Sequence, residues 1–393
     1  MPGLSDIDLL GRLVGFDTCS AHARPTVPLG DFLVEYLDHP NIRCTRMDCG
    51  DGRENLWFEC GPAPTPAGSG LLLCGHVDVV PADEPEWRGD PFVLRIEDGR
   101  AIGRGACDMK GFDAISVNLL RRVAESGTPE SPVCLLLTCD EEIGTVGAGR
   151  FAEAWADRGI PARTVIGEPT SLRPVLGHKG HLALTISVGG RACHTGFPHR
   201  GVNAIEEAMP VLEVLKKIRM AMIDERTDSS ELFPETPHAV LTIASAHAKN
   251  AINVMPDRLD LRVGVRLLPG QTGKAFVSRL EAALDAAGIT RSPIEGETLE
   301  PGSCSIAIDN ETPAYAIDRA DDWLRQVLDL DDAASDASSL RGVNYGTDAG
   351  RLVPLGCRSV IFGPGDISVA HRPEEWIALD ELSAAAGLLA RLC

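Results

Sequence analysis

The chain has 393 residues, 44% of them hydrophobic, and its 37 basic against 57 acidic side chains give a formal net charge of −20. That length exceeds one small core and makes two domains the natural division. The charge disfavours nucleic acid and anionic membrane as partners and leaves a cationic or zwitterionic small molecule as a compatible one.

No run approaches the ~18 apolar residues of a membrane span. The stretch MPGLSDIDLLGRLVGF carries acids early and no continuous apolar segment, so it is not expected to be a signal peptide. The twelve cysteines show no CxxC pair and no small-scaffold spacing. They read as reduced thiols in a cytoplasmic protein.

In chain order, apolar residues at three- and four-residue spacing predict helices over 5–15 and 28–38. Strand-like apolar runs follow at 55–60, 71–75, 133–138, 164–167 and 358–362, with helices at 110–126 and 146–158 among them. This alternation predicts an α/β domain, a mostly parallel sheet with helices on both faces. GPAPTPAGSG (61–70) reads as a hairpin loop.

The middle of the chain has a different pattern. HLALTISVGG (181–190), AVLTIASA (239–246) and RLDLRVGVRLL (258–268) read as strands. VNAIEEAMPVLEVLKKIRM (202–220) and GKAFVSRLEAALDAAG (273–288) read as helices, and TRSPIEGETL (290–299) as a last strand. The order βαββαβ is ferredoxin-like. Residues 178–298 are therefore expected to form an inserted lid or dimerisation domain, dividing a catalytic domain into 1–177 and 299–393.

Six stretches carry ligand-type side chains, most of them just downstream of an apolar run. They are LLLCGHVDVV (71–80), GRGACDMKG (103–111), CLLLTCDEE (134–142), TVIGEPT (164–170), ACHTGFP (192–198) and SVIFGPGDISVAHRPEE (359–375). In open α/β sheets, sites form beyond the C-terminal ends of the strands. One crevice could thus gather His76, Asp78, Asp108, Glu141, Glu142, Glu168 and His371. Imidazole with carboxylate suits zinc, cobalt or manganese. Two such ions roughly 3.5–4 Å apart can activate one water between them.

Within the set, His76 and Asp78 are two apart on an extended segment and share a face. A ligating imidazole needs its second nitrogen held, and Asp78 is placed to do this. Asp108 has two oxygens to share between ions, or it caps the helix that follows. Adjacent acids at Glu141 and Glu142 repel unless cations neutralise them, so one can ligate while the other takes a proton from water. His194 falls in the inserted domain, where it is either an oxyanion donor or an exposed strand-end histidine. Arg262 and Arg266 share one face of a strand, which is commonly a solvent face.

With these motifs together, the chain resembles the co-catalytic zinc family of acetylornithine deacetylase, succinyl-diaminopimelate desuccinylase, aminoacylase-1 and carboxypeptidase G. The resemblance runs over nearly the whole chain. It implies that His76 and Glu168 hold one zinc, Glu142 and His371 the other, and that Asp108 bridges both; cobalt or manganese could substitute. It further implies Glu141 as general base, Asp78 as orienter of His76, and His194 as an oxyanion donor reaching across a homodimer. Asn253 and Arg266 match positions that contact the substrate carboxylate in relatives. IGEPTSLRPVLGHKG, HTGFPHRGVNAIEE and FGPGDISVAHRPEEW look most like the acetylornithine deacetylase branch. Residues 20–31 (SAHARPTVPLGD) depart from its Ser-Asn-Leu-Pro type of segment, while DGREN keeps the usual asparagine at Asn55.

The expected activity is removal of an N-acyl group, acetyl before others, from an amino acid such as ornithine in arginine biosynthesis. The alternatives are a desuccinylase or dipeptidase on the same scaffold or, in a different class, a non-catalytic metal-binding homologue. Against the last stands Glu141, a residue needed for turnover and not for holding metal. A nucleotide-binding module would need a glycine-rich strand-to-helix turn, which GPGD (363–366) is not.

Overall fold

A computed structural model of the chain describes residues 1–248, 251–292, 299–330 and 339–393. It divides into two compact units, one of Met1–Gly177, Ile317–Arg341 and Thr347–Cys393, the other of His178–Ala316 and Gly342–Gly346.

The first unit is built on six strands: β1 (Ile42–Gly50), β2 (Arg53–Cys60), β3 (Gly68–His76), β4 (Val133–Thr138), β5 (Pro161–Ile166) and β6 (Arg358–Ile361). Their order in the sheet is β1-β2-β4-β3-β5-β6. β1, β2 and β4 pair antiparallel, whereas β3 pairs parallel with β4 and β5, and β5 with β6. The two central parallel strands, β3 and β4, carry unbroken apolar runs, with Leu71, Leu72, Leu73 and Leu135, Leu136, Leu137 at 0–1% exposure. That is the signature of strands covered on both faces. Alternation makes the point at β2, where Trp57 and Phe58 point to opposite sides and both are buried. Trp57 packs on Phe151 and Trp155 of the helix Val146–Trp155.

The expected hairpin at 61–70 is not formed. The segment joins β2 to β3, but β4 lies between them in the sheet, so the loop carries the chain over a neighbouring strand. A sequence of prolines and glycines marks a turn and says nothing of which strands it pairs.

The second unit is an antiparallel sheet in which Val240–Ala248, Arg258–Leu267, Gly180–Gly189 and Ser303–Thr312 lie side by side in that order. The sequence order of these strands with their two helices is the ferredoxin-like one. Helices Ala204–Asp224 and Gly273–Ala286 bury Val211, Leu215, Leu280 and Leu284 against Leu182, Leu184 and Ile186 of the sheet. The expected limit at 298 falls short. The last strand is Ser303–Thr312, paired to Gly180–Gly189, and the unit runs on to Ala316. Of the strand expected over 290–299, only Thr290–Arg291 is formed among the described residues, and 293–298 lie outside them. No helix among the described residues is long and apolar enough to cross a membrane.

Candidate metal centre

The parallel register brings the ends of β3, β4, β5 and β6 to one edge of the sheet. His76, the last residue of β3, lies opposite Thr138, the last of β4. Glu141 and Glu142 follow β4, Glu168 follows β5, and a longer loop after β6 leads to His371. Between β5 and Glu168 stands Gly167, against which the ring of Phe112 packs so closely that a Cβ would lie 2.0 Å from it. Only glycine lets the strand end approach that helix.

His76 is 1% exposed. Its Nε2 lies 3.1 Å from Asp108 Oδ1, and its Nδ1 lies 2.9 Å from the main-chain oxygen of Asp78. The Asp78 carboxylate is farther from that nitrogen, at 3.7 Å. It accepts instead the backbone N–H groups of Glu141 and Glu142, at 3.0 and 3.1 Å. Asp78 thus orients the ring through its carbonyl and the acid pair through its side chain, which corrects the simpler sequence expectation.

Asp108 does not cap the helix Lys110–Ser126, whose N-cap is Met109 without a side-chain bond. Its carboxylate is drawn to two imidazoles, with Oδ2 3.1 Å from His371 Nε2 and Oδ1 turned to His76. His371 Nε2 also lies 3.1 Å from Glu142 Oε1. Two triads result, His76–Asp108–Glu168 and Asp108–Glu142–His371, each with ligand-type atoms within 4.8 Å of one another. Asp108 belongs to both.

The electrostatics of the cluster are those of crowded acids. Burial pushes the carboxyls of Glu141 and Glu168 well above their ordinary range, and neighbouring acids add to it. Glu142 is pushed up to about 7 by burial and Asp108. Burial would raise Asp108 too, but bonds from His371 and His76 outweigh it and hold it below the usual carboxylate range. Those bonds to Asp108 and Glu142 push His371 up to about 10. A buried group of this kind needs protons or cations to neutralise it. Imidazole nitrogen and carboxylate oxygen are the donors that divalent zinc, cobalt or manganese take, so the residues fit such ions.

Several neighbours escape sequence reasoning. Asp348 is buried with its Oδ2 2.7 Å from the Thr138 hydroxyl, and burial pushes it up to about 6. Glu375 accepts the N–H groups of Cys107 and Asp108 and pairs with Arg104. Asn55, already notable in DGREN, accepts the Cys139 N–H at 3.0 Å and donates to the Gly147 carbonyl at 2.8 Å, fixing both ends of the acid turn. The motifs GRGACDMKG and HRPEE contain Arg104 and Glu375, but no spacing rule joins residues so far apart.

His194, Asn253 and Arg266 lie in the second unit. His194 is exposed, its Nδ1 accepts the Gly196 N–H at 3.0 Å, and the Asn253 carbonyl accepts the Thr195 N–H at 3.1 Å. The segments of His194 and Asn253 are thus neighbours. Arg266 stands on the strand Arg258–Leu267, opposite His181, and is half-buried. All twelve cysteines are free thiols.

A ligand-type cluster at the C-terminal edge of parallel strands, crowded with acids and imidazoles, is the arrangement of a metal-dependent hydrolase. Residues 72–393 match the sequence profile of Peptidase family M20/M25/M40, and the chain belongs to that family. It is accordingly a hydrolase of amide bonds. Acetylornithine deacetylase of Vibrio campbellii is 33% identical over 341 residues, which is 86% of this chain and 84% of that one. Acetylornithine deacetylase of Klebsiella pneumoniae is 35% identical over 309 residues, 78% of this chain and 75% of that one. The fold is shared with an M20 family metallo-carboxypeptidase from Sulfolobus solfataricus, at a TM-score of 0.78 and 19% identity over 99% of this chain and 98% of the other.

Proposed function

We propose that the chain is a two-metal amidohydrolase that removes the acetyl group from the α-nitrogen of an amino acid, N-acetyl-L-ornithine in arginine biosynthesis, in the cytoplasm. The observation that carries the reading is Asp108, one carboxylate common to two ligand-type triads. His76 and Glu168 would hold one zinc, Glu142 and His371 the other, with Asp108 between them and cobalt or manganese as substitutes. When bound, the ions supply a Lewis acid for the amide carbonyl and an acidified water as nucleophile. A Bacillus subtilis protein of this fold (TM-score 0.60, 15% identity, 98% of this chain and 97% of that one) is described as a dinuclear metal binding peptidase from the M20 family. The names of the Vibrio and Klebsiella relatives support the choice of substrate.

Glu141 is the general base. Its carboxylate takes a proton from the attacking water as oxygen adds to the amide carbon, then gives it to the leaving amine as the C–N bond breaks. Its backbone N–H is held by Asp78, so the side chain leaves the turn from a fixed point. His194 donates to the oxyanion, and Asn253 and Arg266 receive the substrate carboxylate.

A homodimer completes the proposal, with the second unit as its contact. Ile205, Met209, Met220 and Ile223 are exposed on helix Ala204–Asp224, and Val240–Ala248 is an edge strand of the sheet. Both are features that a two-fold interface would cover.

A turnover panel of zinc-loaded protein tests the substrate. N-acetylornithine is expected to be hydrolysed with a higher kcat/KM than N-acetylcitrulline, N-acetylmethionine or N-succinyl-diaminopimelate. Preference for the succinyl compound would replace the deacetylase by a desuccinylase. No turnover of any of them with two metals bound would refute an N-acyl-amino-acid hydrolase.

A further inference from the structure

Next to the cluster lies a buried ion pair that no part of the proposed chemistry uses. Arg104 and Glu375 are each 1% exposed, and Arg104 Nη1 donates to Glu375 Oε2 at 2.7 Å. The other carboxylate oxygen, Oε1, accepts two successive backbone N–H groups, those of Cys107 at 2.9 Å and Asp108 at 3.0 Å. A single oxygen therefore fixes the orientation of the backbone from which the Asp108 side chain departs.

The guanidinium reaches further. Arg104 Nη2 donates to the Pro81 carbonyl at 2.9 Å, on the segment that leads away from His76 and Asp78. Arg104 Nη1 also lies 3.4 Å from the carbonyl of Arg372, the residue after His371. Glu375 adds a backbone bond, its carbonyl accepting the Gly103 N–H at 2.9 Å. One pair thus joins three separate segments, those bearing His76, Asp108 and His371. The adjacent Glu374 behaves otherwise: it faces outward and pairs with Arg88 and Arg95 at 2.7 and 2.6 Å.

We propose that Glu375 and Arg104 are positioning residues that set the metal affinity of the cluster, by holding the Asp108 backbone and tying it to the segments of His76 and His371. The inference rests on reading Asp108 as a ligand shared by two ions. A shared carboxylate must face both ions at once, so it tolerates little rotation of its backbone. Partners behind a ligand of this kind typically change metal affinity about 10–100-fold when removed. A pair that merely stabilised the fold would act on the metal-free protein instead.

The test is zinc competition against a chromophoric chelator on the full chain, beside thermal unfolding of the metal-free form. Glu375→Gln keeps an acceptor for the two N–H groups but loses its charge for Arg104. Glu375→Asp keeps the charge and shortens the reach; it serves as the second variant if the first does not fold. Each is expected to bind zinc at least about 10-fold more weakly than wild type, with metal-free unfolding shifted far less than metal-loaded unfolding. Glu374→Gln, the outward neighbour, is expected to match wild type in both. Wild-type zinc affinity in Glu375→Gln and Glu375→Asp overturns the proposal, as does a loss confined to the stability of the metal-free form. Fewer than two equivalents in the wild type would instead overturn the two-metal reading, and the ratio of variant to wild-type affinity for the bound ion would still decide the role of Glu375.

Discussion

Asp78 holds Glu141 by its main chain: the Asp78 carboxylate accepts the Glu141 N–H at 3.0 Å, while Asp78 itself is wholly buried. The other carboxylate oxygen takes the Glu142 N–H. Asp78→Asn preserves size but replaces one acceptor by an NH₂ group facing a backbone donor. Turnover of N-acetylornithine is expected to fall about 10–100-fold, the range for a partner behind a functional group, with KM changing less. Steady-state kinetics on zinc-loaded protein would read this. An unchanged kcat would show that the acid turn keeps its place without Asp78.

Glu141→Gln retains shape and polarity and cannot accept a proton. Both metals are expected to stay bound while kcat falls by at least ~10²–10⁴, the range of a lost general base. Metal analysis beside the kinetics separates the roles. If metal is lost too, Glu141 is a ligand; if activity persists, the base is another carboxylate.

The crowded acids predict an inverse dependence of metal-free stability on pH. Folding raises Glu142 from 4.5 to about 7 and Asp348 from 3.8 to about 6. A raised group stabilises the fold below its unfolded pKa and loses that contribution as pH rises through the folded one. His371, raised from 6.5 to about 10, acts in the same direction over a higher window. Asp108 is lowered and opposes them only in acid. The Tm of chelator-treated protein is therefore expected to fall between about pH 5 and pH 7, and the gain in Tm on adding zinc to grow, because bound cations displace those protons. Scanning calorimetry at several pH values checks this. A metal-free Tm that climbs across the window would contradict the electrostatics described.

Arg266 makes no side-chain hydrogen bond or ion pair among the described residues, and burial lowers its pKa. A half-buried guanidinium in this state suits an incoming carboxylate, whose two oxygens a fork matches better than an ammonium does. Arg266→Lys is expected to raise KM for N-acetylornithine several-fold without altering metal content. Equal hydrolysis of the α-amide analogue by the wild type would show that no carboxylate clamp exists.

For His194, subunit mixing decides between a role across a dimer and a role in its own subunit. His194→Ala and Glu141→Gln chains, each inactive alone, are allowed to exchange. If His194 serves the neighbouring site, each heterodimer has one site with both defects and one with neither, and activity returns. No recovery after demonstrated exchange would remove the histidine from the partner's chemistry.

The parallel core was legible because burial on both faces leaves unbroken apolar runs, as in LLL at 71–73 and at 135–137. Most of the ligand-type residues were legible because they follow such runs, whereas Asp108 follows GRGAC. The edge strand Ile42–Gly50 was not: Arg43, Thr45, Arg46 and Asp48 leave it no apolar signature, and most of it is exposed. Ser303–Thr312 was missed for a similar reason, since it mixes acids and small polar residues. Asp78 shows a different limit. Whether its carboxylate turns to an imidazole or to two backbone donors depends on the path of a turn, which residue spacing does not encode. Arg104 and Glu375 form their pair across a sequence separation of 271 residues, a contact that no local pattern announces.

The sheet order also has a consequence for how the chain comes into being. β5 ends at Ile166, and its parallel neighbour β6 begins only at Arg358, after all of the second unit has been synthesised. A nascent chain can therefore complete the ferredoxin-like unit while the larger sheet still lacks a strand, and non-local parallel pairing is slow. Until β6 docks and His371 arrives, Asp108 has only one imidazole to face. Ribosome-stalled chains that expose His76, Asp108 and Glu168 should therefore retain at most one zinc, and a second only once His371 has left the ribosome, so occupancy of the second triad would report that the larger unit has closed.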